Sequence, residues 1–146
     1  MEREILFRGK REDNGKWVNG YVTRIKHADN NGKVESYYFN ALDELGWVAE
    51  CVVSAETVCQ YTGFTDKNGR KIFEGDIVKY HFGEDVAPVK FGSYQNCFDS
   101  QLTEHCGFYV DWKNGRNLRK DLGYWVHMVD AKIVGNIHDN PKSLKE

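Results

Sequence analysis

No stretch of this chain approaches the roughly 18 consecutive apolar residues that a membrane-spanning helix requires. Proline is scarce, with only Pro88 and Pro141 among 146 residues, and no segment is low-complexity, which argues against a disordered linker protein. Neither sign of charge prevails: 20 Lys and Arg stand against 22 Asp and Glu, a net charge of -2. Proteins that live on nucleic acid usually carry a clear cationic excess, because neutralising phosphates drives counterion release. That leaves room for a local basic patch and none for a broadly basic surface. No apolar segment follows Met1-Glu2-Arg3-Glu4, so secretion is not expected and a cytoplasmic location is.

The signatures of catalysis are also missing. There is no Gly-x-Ser-x-Gly, P-loop or dinucleotide fingerprint. Cys97, His105 and Cys106, with His81 or His127, are the residues that could surround zinc, yet neither Cys51/Cys59 nor Cys97/Cys106 has the close spacing of a structural zinc pair. His105 and Cys106 are adjacent, and neighbours along a strand point to opposite faces, which counts against a nucleophile–base pair. The carboxylates Asp43-Glu44, Glu84-Asp85, Asp66 and Asp76 are explained by solvated loops and turn capping. The expectation is a non-enzymatic protein with no metal, no cofactor and four reduced thiols.

What the chain does have is aromatic residues, at 14%, and Asn-Gly pairs. Aromatics suit a pleated, half-buried surface. Asn14-Gly15, Asn19-Gly20, Asn31-Gly32, Asn68-Gly69 and Asn114-Gly115 tolerate the positive φ of type I′ turns, which join antiparallel strands tightly. Asn19-Gly20 lies inside an apolar run, where a bulge serves equally well. Strands are predicted over residues 4–10, 17–25, 34–39, 47–53, 57–61, 77–82, 89–91, 108–112, 124–128 and 132–137. Helix is confined to short turns over 40–45 and 117–122, with one more after Pro141. Short runs at this spacing predict an all-β fold, a small antiparallel barrel or sandwich. The chain reads as one domain over 1–146, with an N-terminal hairpin part over 1–65 and a second part over 66–146.

One string is distinctive: Gln60-Tyr61-Thr62-Gly63, Asp66-Lys67-Asn68-Gly69 and Phe73-Glu74-Gly75-Asp76-Ile77-Val78. Physically it reads as strand, tight turn, short strand, tight turn, strand, with the glycines at the reversals and Asp66 and Asp76 tying down turn amides. It resembles the YopX family of small proteins of bacteriophages and prophages. Arg3-Glu4-Ile5-Leu6-Phe7-Arg8-Gly9 is similar to that family's opening, and Gly107-Phe108-Tyr109-Val110 to its later strand. The segment from Gly83 to Cys106 carries no comparable pattern. The resemblance implies an all-β phage-derived protein in the cytoplasm of a bacterial host, and it implies no catalytic residues. From Gly75 onward the chain is also similar to an SH3-like barrel, an analogy of fold that says little about function.

Two classes of function follow. The first is contact with an unknown protein partner or with a second copy, since exposed aromatics are the usual anchors of interfaces. The second is nucleic-acid binding by the SH3-like part. Lys113, Arg116, Arg119 and Lys120 cluster near Trp112 and Tyr109, and Arg8, Lys10 and Arg11 form a second group near Trp17. Basic side chains can track phosphates while aromatic faces stack on bases. Protein contact ranks first, because the net charge supplies no long-range attraction for a polyanion.

Overall fold

The computed structural model describes residues 4–80, 85–95, 103–112 and 120–141. The chain forms two compact units, Met1–Tyr61 and Thr62–Glu146. It is all-β as expected, with ten described strands in antiparallel sheets and one short helix.

In the first unit, β1 (Phe7–Lys10), β2 (Trp17–Ala28), β3 (Val34–Leu42), β4 (Val48–Ser54) and the start of β5 (Cys59–Thr65) lie in the order β4-β3-β2-β1-β5. The sheet faces are set by strict alternation. Val22 pairs with Phe39 and Phe39 with Cys51, placing all three on the inner face, where Phe39, Cys51 and Val53 form the buried core. β2 is long and shifts register three times after Val22, and bulges of that kind increase twist. The sheet curls until Arg11, just past β1, bridges Val53 on β4, and Glu12 N–H donates to Val52 O at 3.0 Å. A 3₁₀ turn over Ala55–Thr57 supports this curl: Lys10 N–H donates to the Thr57 hydroxyl, which donates to Ser54 O.

In the second unit, β6 (Lys71–Phe73) lies beside the end of β5, where the Thr62 hydroxyl donates to Ile72 O at 2.7 Å. β7 (Asp76–Lys79), β8 (Val86–Tyr94), β9 (His105–Val110) and β10 (Lys132–Asn136) form a sheet ordered β10-β7-β8-β9. The helix α1 (Leu122–Val129) packs Leu122, Trp125 and Val126 against Val78, Val89 and Val110 in the larger core. Neither sheet closes into a barrel among the described residues.

Four expectations need correction. Residues 124–128 are helix, not strand: Leu122, Trp125 and Val126 fall at i, i+3 and i+4, so one helical stripe buries what a strand would have split between two faces. Residues 40–45 are not helical; β3 continues to Leu42 and a hairpin turn follows. Asn19-Gly20 is neither turn nor bulge but mid-strand, with Gly20 paired to both Phe7 and Ala41. Nor are the Asn-Gly turns type I′. Gly15, Gly32 and Gly69 have positive φ, whereas among described non-glycine residues only Asp130 does. Of the helical turn expected over 117–122, residues 117–119 lie outside the described residues, Asp121 bridges Tyr109 and Leu122 opens α1. The turn expected after Pro141 lies outside the described residues, as does Asn114-Gly115.

Candidate functional site

Three hairpins share one loop design. Asp29 to Lys33, Asp43 to Trp47 and Asp66 to Arg70 each begin with Asp and carry Gly at the fourth position. In each, the first residue's N–H donates to the fifth residue's carbonyl, and the glycine N–H donates back to the aspartate carbonyl. In each, the aspartate Oδ1 accepts the amides of the third and fifth residues at 2.8–2.9 Å. This is a type I turn followed by a glycine in the left-handed region, as in a G1-bulged hairpin. The geometry requires only the Asp and the Gly.

The other positions are therefore free to differ, and the Asp43–Trp47 loop differs sharply. Its third position holds Leu45, where the sister loops hold Asn31 and Asn68; its fifth holds Trp47, where they hold Lys33 and Arg70. Leu45 is 83% exposed and Trp47 73%. Val48 and Leu42, paired across the hairpin stem, are exposed as well. An apolar cluster thus caps a turn that polar residues build equally well elsewhere in the chain. Sequence reading missed it because Asp43-Glu44-Leu45-Gly46 lacks the Asn-Gly signal. Comparing the three Asp-x-x-Gly strings position by position would have exposed it.

Beside the outer edge of β4 lies a groove of about 460 Å³ lined by Arg11, Glu12, Asp13, Lys26, Glu50, Cys51 and Val52. The Arg11 guanidinium grips Asp13 with two contacts, 2.9 and 2.6 Å, and its hydrogen bond holds the Asp13 carboxyl below the usual range. Burial pushes the Cys51 thiol up, so it rests protonated and poorly nucleophilic. Among the described residues, no three His, Cys, Asp or Glu side chains gather as a metal site.

A profile of the YopX protein family matches residues 6–145. The chain belongs to the YopX family. Its backbone is similar to the crystal structure of protein EF1440 from Enterococcus faecalis, at 19% identity and a TM-score of 0.49, over 98% of this chain and 99% of that one. No curated protein matches it.

In this YopX family chain the predicted basic cluster is only partly in view. Lys113, Arg116 and Arg119 lie outside the described residues. Trp112 is 4% exposed and packs its indole against Tyr80 and Trp125, at ring separations of 5.3 and 4.9 Å, so it belongs to the core rather than to a stacking surface. Lys120 is half-buried, and its carbonyl accepts the Val110 amide. The second cluster does assemble. The Arg8 guanidinium lies 4.7 Å from the centre of the Trp17 ring and the Lys10 ammonium 5.3 Å, while Arg24 lies 4.2 Å from Tyr38. His105 and Cys106 are neighbours on β9; His105 stacks on Tyr94, and Cys106 pairs across the sheet with Ser93. Cys51 and Cys59 are buried and Cys106 is exposed, all three as free thiols; Cys97 lies outside the described residues.

Proposed function

We propose that this chain is a non-enzymatic, phage-derived accessory protein that works by contact, with the tip of the β3–β4 hairpin as its protein-binding surface. One observation carries the reading: Leu45 and Trp47 occupy positions that sister loops of the same geometry fill with Asn and with Lys or Arg. Holding Trp and Leu in water forgoes the stabilisation of burying them, roughly 1.5–3 kcal/mol for a Leu-sized side chain. The turn does not need them, so a partner is the physical reason to keep them there. Tryptophan is also the residue most enriched among interface hot spots.

The test exchanges the tip for its sisters. The double variant Leu45→Asn with Trp47→Lys keeps Asp43 and Gly46, and it should melt like the parent. Cross-linking mass spectrometry in cell lysate should then lose the adducts that map to residues 42–48 in the parent. An unchanged adduct set in the double variant would sink the reading.

Nucleic-acid binding by an SH3-like second unit is the other reading. The cation–aromatic pairs Arg8–Trp17 and Arg24–Tyr38 favour it, though on the first unit's sheet. It ranks second because those aromatic faces already carry cations and Trp112 is enclosed.

A further inference from the structure

We infer that the open edge of β4 pairs with β4 of a second copy about a two-fold axis through Ala49. This rests on the reading of the β3–β4 tip as a contact surface, and it identifies the partner. β4 ends the order β4-β3-β2-β1-β5 in its sheet. Its register with β3, together with the bond from Glu12 N–H to Val52 O, determines which backbone groups face outward. Residues of one parity face β3; Val48, Glu50 and Val52 face away from it. Glu12 takes the Val52 carbonyl, and the Asp43–Trp47 turn closes the other end. Among the described residues, the open stretch is therefore Val48 to Glu50.

Only one symmetric antiparallel register satisfies that stretch. Pairing Glu50 with Glu50 would place like charges opposite each other and would set Val48 against Val52, whose carbonyl is taken. Pairing Val48 with Val48 leaves Glu50 unmatched. Pairing Val48 with Glu50 of the partner subunit satisfies the outward N–H and C=O of both residues in both chains, in two reciprocal pairs of hydrogen bonds. It sets Ala49 against Ala49 on the axis, where two methyl groups meet without a clash.

The same register carries the tip to the groove. Continuing by one pair sets Trp47 of the partner subunit opposite Cys51, and Cys51 lines the groove beside Arg11, Lys26 and Val52. A cavity of about 460 Å³ accommodates an indole, and Arg11 and Lys26 offer cations to its face. Exposed Trp47, an edge of three residues with no strand beside it among the described residues, and an adjoining groove are thus one self-complementary surface, as an isologous two-fold interface requires.

Sedimentation equilibrium from low to high micromolar concentration should show the mass doubling from 16.9 kDa. Glu50→Pro removes an N–H that faces away from β3, a position where an edge strand tolerates proline, and should leave a folded monomer. Trp47→Lys should weaken association by roughly tenfold or more. With Cys97 and Cys106 changed to Ser, Ala49→Cys should form a disulfide-linked dimer under mild oxidation, because a directly opposed, non-hydrogen-bonded pair suits that bridge. A chain monomeric throughout, a dimer that survives Glu50→Pro, or an Ala49→Cys variant that fails to cross-link overturns the pairing. If the chain is monomeric yet its lysate adducts still depend on Leu45 and Trp47, the pairing fails and the contact reading stands. If neither dimer nor tip-dependent adducts are found, both fail.

Discussion

The Asp66 carboxylate joins its own turn to a strand 67 residues further along: Oδ1 accepts the Asn68 and Arg70 amides, and Oδ2 accepts the Ile133 amide of β10 at 3.1 Å. Asp29 makes the same two bonds within its turn and sits at an exposed hairpin tip. Asp66 is buried and so is its bond to Ile133, so Asp66→Ala strands the Ile133 amide away from water, whereas Asp29→Ala leaves amides that water can reach. We expect a loss on the order of 3 kcal/mol for Asp66→Ala and about 1 kcal/mol for Asp29→Ala. Urea denaturation of the two variants checks this; equal midpoints would contradict the clamp.

A glycine pair tests the first unit in the same way. A Cβ added at Gly20 would run into the Asn40 carbonyl of β3, a backbone atom that cannot step aside without opening the ladder. At Gly32 the φ is +82°, but nothing lies near an added Cβ. Gly20→Ala should cost about 3 kcal/mol or more through overpacking, and Gly32→Ala about 1 kcal/mol through backbone strain alone. Thermal melts that rank them in reverse would refute the close approach of β2 and β3.

These two sites also show what the sequence discloses and what it withholds. Asp66 announces itself, because a carboxylate before Asn-Gly between strand-like runs has one obvious use, and the turn it predicts is there. Gly20 does not. Asn19-Gly20 has the composition of a turn, and only the pairing of β2 with β1 and β3 on its two sides shows it to be a place of close backbone approach. Residues 124–128 misled for a related reason. Tyr124, Trp125 and Val126 favour a strand locally, and the demand for one buried stripe of Leu122, Trp125 and Val126 overrides that preference. The candidate site was legible in pieces: Arg8, Lys10 and Trp17 could be grouped by proximity in sequence. Leu45 and Trp47 lack the Asn-Gly signal, and only a comparison of the three Asp-x-x-Gly loops sets them apart.

Glu74, in the turn between β6 and β7, gives a prediction about pH. Burial raises its carboxyl above the ordinary value of 4.5. The folded chain then holds this proton more tightly than the unfolded chain does. The contribution to stability is fully present below the unfolded pKa and is lost as pH rises through the folded one. Glu74→Gln, neutral at every pH, should remove that loss and be more stable than the parent at neutral pH, with the gap closing toward about pH 4. Urea midpoints across this range provide the measurement. A variant less stable than the parent at neutral pH would show that the charged carboxylate has a favourable partner and that burial is not the governing effect.

The last prediction separates contact with protein from contact with nucleic acid. If Lys113, Arg116, Arg119 and Lys120 track phosphates, binding must weaken with salt in proportion to the number of contacts. Trp112 offers no stacking face to such a strand, since its indole lies between Tyr80 and Trp125 in the core. The net charge of -2 adds no long-range pull. On the first unit's sheet, the Arg8 and Arg24 guanidiniums lie over Trp17 and Tyr38, covering aromatic surface a base would need. We therefore expect single-stranded DNA and RNA to bind no tighter than ordinary non-specific affinity, about 10⁻⁴ to 10⁻⁶ M at physiological salt. Changing all four basic residues to Ser should alter that little, and a thermal melt of the variant checks that the fold is kept. Fluorescence anisotropy with labelled oligonucleotides at two salt concentrations decides it. Submicromolar binding that vanishes in the quadruple variant would place the working surface on the second unit and reverse the order of the two readings.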